Sequence, residues 1–95
     1  MKQYENIVVE FIDALKLNYH DGENLNHIAR VAAKRICKST IATGLVVSVS
    51  KCGTDAIELV IGNRKQKELQ LFRVNYSALG GELVAECDVN NPVIL

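Results

Sequence analysis

The chain has 95 residues, with 11 basic and 11 acidic side chains and 48% hydrophobic residues. This composition excludes a disordered chain and predicts one globular domain, over residues 1–95, with a core of modest size. The net charge of zero is unlike that of a typical nucleic-acid-binding domain, and it leaves little repulsion between copies. We expect no membrane association and no signal peptide, because no apolar run approaches about 20 residues and the first residues include acidic side chains.

The charges are unevenly distributed along the chain. Residues 24–53 carry five basic side chains and no acidic one. Residues 1–23 carry two basic and five acidic side chains, and residues 54–95 carry four and six. A basic block therefore lies between two acidic flanks, and a block of this kind is a candidate partner surface.

Two amphipathic helices are predicted in the first half of the chain. Apolar residues recur at helical spacing from Tyr4 to Leu15 and predict a helix over about residues 3–17. A polar turn follows, and Asn24 is a good N-cap for a second helix that we expect to stop near Gly44. One side of this helix is apolar and rich in alanine. The opposite side and its flank carry His27, Arg30, Lys34, Arg35 and Lys38.

From Leu45 onward the hydrophobic period changes from helical to two, which is typical of β-strands. Strands are predicted over about residues 45–50, 56–61, 68–76 and 82–89, and the connections between them are short and polar. Short polar turns favour an antiparallel meander. The predicted fold class is α+β, with two N-terminal helices packed on one face of a four-stranded antiparallel sheet (α-α-β-β-β-β). The three apolar residues in the tail 90–95 need cover, and we expect them to fold back over the domain.

The third predicted strand has two competing phases. In one phase Leu69 and Leu71 point inward and a bulge near residues 71–72 corrects the register. In the other phase, residues 72, 74 and 76 lie on the outer face and extend an apolar patch that marks a partner surface or a homodimer interface. The candidate residues of this outer face are Val46, Val60, Phe72, Val74, Tyr76 and Val84.

The basic side of the second helix has three interpretations: a plainly solvated face, a surface for an acidic protein partner, or a site for nucleic-acid phosphates. Its candidate residues are Arg30, Lys34, Arg35 and Lys38. The chain contains no tryptophan and offers no aromatic residue beside these cations, which disfavours the nucleic-acid interpretation. Between the two that remain, an acidic protein partner is the functional hypothesis.

A metal site is the next candidate, because His20, Asp21, Glu23 and His27 are all metal-ligating residue types. Their spacing matches no known ligand motif, and a turn with an N-cap explains the polar residues equally well. We therefore expect neither a metal nor a cofactor.

Cysteine chemistry is the remaining candidate. Cys37 lies among the cations of the second helix, which lower a thiol pKa, and His27 is a potential base. The three cysteines are odd in number and form no CxxC pair, so we expect free thiols and a cytoplasmic location.

These features together predict a small non-enzymatic protein-binding module, acting as an accessory, inhibitory or immunity-like factor. Its predicted partner is another protein, acidic in character, or a second copy of the chain. The alternatives are a nucleic-acid-associated protein that binds phosphates through the second helix, and a small enzyme that uses Cys37 or a His/Asp site.

Overall fold

The structure, a computed structural model, describes residues 2–20, 24–79 and 82–88. The predicted element order is confirmed. The predicted return of residues 90–95 over the domain lies outside the described residues. The fourth strand is shorter than predicted, because it ends at Glu86 and residues 87 and 88 are not in a strand. The elements are α1 (Lys2–Asn18), α2 (Leu25–Thr40), a 3₁₀ turn (Ile41–Thr43), β1 (Leu45–Cys52), β2 (Ala56–Asn63), β3 (Glu68–Leu79) and β4 (Glu82–Glu86).

The ends of α2 follow the sequence signals closely. Asn24 caps its first turn, with the side-chain oxygen accepting the backbone N–H of His27 at 3.4 Å. Gly44 adopts a left-handed conformation (φ 89°) and donates its N–H to the Ile41 carbonyl at 3.0 Å. Glycine adopts this conformation without the steric cost that a β-carbon imposes, so the chain can leave the helix and enter β1 within one residue.

The sheet is an antiparallel meander with strand order β1-β2-β3-β4. α2 packs on β1, and α1 packs on α2 and β4. β3 is the longest strand and changes neighbour along its length: it pairs with β2 up to Asn75 and with β4 from Asn75 onward. The core therefore fills one side of the sheet, and the basic side of α2 is turned away from it.

The placement of Phe72, Val74 and Tyr76 on the outer face of the sheet is wrong. Phe72 and Val74 lie opposite Leu59 and Ile57 of β2, and residues directly opposite each other share a face of the sheet. Both β2 residues are fully buried beneath the helices, so Phe72 (1% exposed) and Val74 (0%) are core residues. Tyr76 follows the same alternation and packs against the core.

The structure has its register shift in a different strand from the one in which a bulge is predicted. Pairing between β2 and β3 is uninterrupted, and the register shift occurs in β1 instead, between Val49 and Lys51. Leu69 and Leu71, which the bulge was to point inward, lie on the outer face. Leu69 is 58% exposed, whereas Leu71 is buried but lies outside the core cluster.

Candidate functional site

The basic face of α2 consists of Arg30, Lys34, Arg35 and Lys38, and all four side chains are exposed. The helix turns them outward because its opposite side is committed to the core. Helical spacing alone predicts this arrangement, and the structure agrees with it. The buried side consists of Ile28, Ala29, Ala32, Ala33 and Ile36.

Arg30 differs from the other three cations because the protein itself holds its guanidinium group. Its Nε donates to the Asn26 Oδ1 at 2.8 Å, and its Nη1 donates to the Val49 carbonyl of β1 at 3.2 Å. The first bond spans one helical turn, and the second joins α2 to the sheet. Sequence spacing gives no indication of the second bond, which depends on how the helix packs.

Among the residues that the structure describes, no acidic side chain lies within ion-pair distance of the basic face. Across residues 2–20, 24–79 and 82–88, the one ion pair joins Arg73 to Glu58 at 3.6 Å, on the outer face of the sheet. No described acidic side chain therefore compensates the cations of α2 at short range, and exposed charges of this kind produce a field in the surrounding solvent.

A groove of about 350 Å³ lies between the two helices, on one side of the basic face. Arg35 and His27 form one wall, and Glu10 and Asn18 stand on the opposite wall. Apolar side chains of both helices line the rest. Sequence reasoning missed this groove, although the alanine-rich apolar side of α2 indicated that little side-chain bulk would lie between the helices. The apolar lining is Ala14, Ile28, Val31, Ala32 and Ile36.

A second cleft, of about 280 Å³, lies on the other side of the basic face, between α2 and β1. Arg30 and Lys34 line it together with Cys37, and the β1 residues 47–49 form its opposite wall. The basic face thus borders a concave surface on each side. The β1 cleft combines cations with the edge of a sheet, a combination that suits an anionic polypeptide.

The candidate catalytic residues of α2 are not brought together. Cys37 lines the β1 cleft, whereas His27 lines the groove on the α1 side of the helix. Burial raises the pKa of the Cys52 thiol, an effect that Arg30 partly opposes, and burial with the nearby Asp88 raises the pKa of the Cys87 thiol. A raised pKa keeps these thiols protonated at neutral pH, which weakens them as nucleophiles.

The candidate metal ligands are only partly described. His20 and His27 are exposed, and Asp21 and Glu23 lie outside the described residues. Within the described ranges, no group of three or more histidine, cysteine or acidic side chains is arranged to hold a metal ion.

The six residues proposed for the outer sheet face do not form one patch. Phe72, Val74 and Tyr76 belong to the core side, as described above. Val46 and Val60 are half-buried on the outer face. Val84 is 55% exposed on β4, where it lies opposite Ser77.

Neither described helix has the combined length and hydropathy that a membrane-spanning segment requires. Comparison with protein-family models, with curated proteins and with solved structures finds no match. The feature that bears on function is therefore a row of exposed cations that lies between two concave surfaces and has no ion-pair partner among the described residues.

Proposed function

We propose that this protein is a small, non-enzymatic binding module that contacts an acidic surface of a partner protein through the basic face of α2. The observation that carries the proposal is the set of four exposed cations on α2 that lack an ion-pair partner among the described residues. A rigid helix presents them, so an acidic partner gains charge contacts without having to order the surface it binds.

The shape of the site supports a protein partner over a phosphate backbone. Each concave border also contains a partly buried apolar residue of α2 beside the cations, Val31 on one side and Cys37 on the other. Protein interfaces combine such apolar patches with a charged rim, and complementary charge raises the rate of association. An accessory, inhibitory or immunity-like role in the cytoplasm completes the proposal. The location rests on the free thiols of Cys37, Cys52 and Cys87.

The test uses a charge reversal that leaves the fold intact. Arg30 is unsuitable because its guanidinium bonds Val49, so the variant is Lys34→Glu with Lys38→Glu. The matched control is Lys16→Glu with Lys65→Glu, which shifts the net charge equally at exposed positions outside α2. Circular dichroism and urea unfolding establish that both variants remain folded.

Binding is measured by fluorescence anisotropy with a labelled glutamate-rich peptide, at about 50 mM and about 200 mM salt. We expect the native chain to bind the peptide and to lose affinity as salt increases. The affinity of the helix variant for the peptide should be at least about tenfold lower, and the affinity of the control should stay within about twofold of that of the native chain.

Two results would contradict the proposal. Equal losses in both variants would show that total charge, and not the basic face, determines binding. Binding of single-stranded or duplex DNA that the helix variant abolishes, without binding of the acidic peptide, would favour the nucleic-acid alternative.

A homodimer stays a separate prediction. Only Val46, Val60 and Val84 of its six proposed residues lie outside the core cluster and its packed neighbours, so the predicted interface is smaller than the sequence indicates. Light scattering at micromolar concentration measures the mass directly.

A further inference from the structure

β1 is the first strand of the sheet, and one of its edges faces no other described strand. Arg64 donates its N–H to the Gly44 carbonyl, so Gly44 faces β2. Strand backbones alternate, and therefore Val46 and Ser48 also bond to β2, whereas Leu45, Val47 and Val49 present their backbone groups to the outer edge. The usable edge ends after Val49, at the bulge.

Side chains, not strands, occupy both ends of this edge. Thr40 donates its hydroxyl to the Leu45 carbonyl at 3.2 Å, and Arg30 donates Nη1 to the Val49 carbonyl at 3.2 Å. Both contacts agree with the alternation, because the two carbonyls point away from β2. By the same alternation, the N–H and C=O of Val47, which lies between them and lines the β1 cleft, point to the outer edge.

The cleft beside this edge is apolar at its floor and cationic at its rim. Ala33, Val47 and Val49 are buried, and Arg30 and Lys34 are exposed above them. A bound segment thus meets backbone hydrogen-bonding groups and positive charge in the same place.

We propose that an acidic, extended segment of the partner adds to β1 as a fifth strand of the sheet. This inference rests on the proposed function and names the way in which the partner binds. Main-chain hydrogen bonds to Val47 and Val49 provide affinity, and the side chains on the helix-facing side provide specificity. An incoming N–H replaces Arg30 on the Val49 carbonyl. The guanidinium keeps its bond to Asn26 and becomes available to a carboxylate of the segment.

Charge identifies the occupant. A second copy that paired β1 with β1 would bring two sets of Arg30 and Lys34 together, and the repulsion disfavours that arrangement. An acidic segment is attracted by the same cations. Its carboxylates should occupy alternate positions, on the side that faces α2, because successive side chains of a strand point to opposite faces.

The probe is the peptide acetyl-Glu-Thr-Glu-Val-Glu-Thr-Glu-amide, followed by ¹⁵N NMR of the native chain. Two derivatives of this peptide carry N-methyl groups on the backbone. In the first, the methyl groups are on the two internal glutamates. In the second, they are on the two threonines and the valine. In an antiparallel addition, residues opposite Val47 share both its face and its hydrogen-bonding direction. Methylation of the glutamates should therefore weaken binding at least about tenfold, while the other derivative binds within about threefold of the parent.

A loss of affinity confined to the derivative methylated on threonine and valine also supports strand addition, but in the parallel direction. The amide signals of Val47 and Val49 should shift with the peptide, and Lys34→Glu should reduce the shifts.

Three results would overturn the inference. If the parent and both derivatives bind equally and Lys34→Glu still abolishes binding, the acidic partner stands and strand addition fails. If the peptide and a glutamate-rich control both fail to bind at low salt, the proposed function fails and this inference fails with it. A doubled mass without peptide, with the Val47 amide protected from exchange, would assign the edge to a second copy.

Discussion

Both faces of β3 carry large apolar side chains, but only one face packs into the core. Phe72 and Val74 are buried against the helices, whereas Leu69, on the other face, is more than half exposed. Hydropathy does not separate the two sets. What separates them is the pairing of β3 with β2, whose buried residues fix the inner side. In a strand that is apolar on both faces, the neighbouring strand decides which face becomes core.

The largest effect should come from a truncation on each face. Phe72→Ala removes a fully buried ring and should lower the free energy of unfolding by about 3–5 kcal/mol. Leu69→Ala should change it by about 0.5 kcal/mol or less, because the side chain is exposed. Urea unfolding followed by circular dichroism measures both. Phe72→Leu is a milder variant that keeps the chain folded, and equal costs for the two alanine variants would refute the assignment of the faces.

High pH should destabilise the protein by deprotonating side chains that pack against the core. Burial is the main cause that raises the pKa of Cys52, Cys87 and Tyr76 above the usual 9.0 for a thiol and 10.0 for a phenol. The unfolded chain then loses these protons before the folded chain does. The contribution of these three groups to the free energy of unfolding should therefore be fully present below about pH 9. It should be lost as the pH rises through the raised pKa values.

Urea unfolding between pH 7 and pH 10.5 measures this fall. Cys52→Ala with Cys87→Ala should make it shallower above pH 9, since two of the three groups are then absent. A fall of unchanged steepness in the double variant would show that other groups cause the alkaline loss.

The smallest effect should come from the ion pair on the outer face. Arg73 and Glu58 lie 3.6 Å apart, with side chains 51% and 25% exposed, so water screens their attraction. Arg73→Ala should lower the free energy of unfolding by at most about 0.5 kcal/mol. A double-mutant cycle with Glu58→Gln isolates the energy of the pair. A coupling energy above about 1 kcal/mol would show that this outer-face contact contributes more to stability than we expect.

The sequence predicts most of the fold because its local signals agree with one another. Asn24 caps α2 and Gly44 ends the connection to β1, as their side chains and conformations require. Polar turns separate four strands of alternating pattern, and the meander follows. The phase of β3 was not predictable, because Leu71 and Phe72 are adjacent and both apolar. Only the pairing of Phe72 with Leu59 in the folded sheet resolves the ambiguity.

The candidate site divides in the same way. A helix fixes the angle between its own residues, so the exposure of Lys34 and Lys38 follows from spacing alone. The contact between Arg30 and Val49 depends on the distance between helix and strand, which no local pattern encodes. The two concave borders of α2 likewise exist only after packing. They give the basic face a concave border on each side.

The packing of α1 on β4 joins elements that are far apart in sequence, and Tyr4 also reaches β3 by donating its hydroxyl to Glu68 at 3.3 Å, across 64 residues. The β1–β2 and β2–β3 hairpins close short loops, whereas the contacts of α1 with the sheet require most of the chain to be brought together. Closing long loops costs more entropy and slows folding. We therefore expect the hairpins and α2 to assemble first and the contacts of α1 with the sheet to form last, so that the β1 cleft forms before the groove between the helices does.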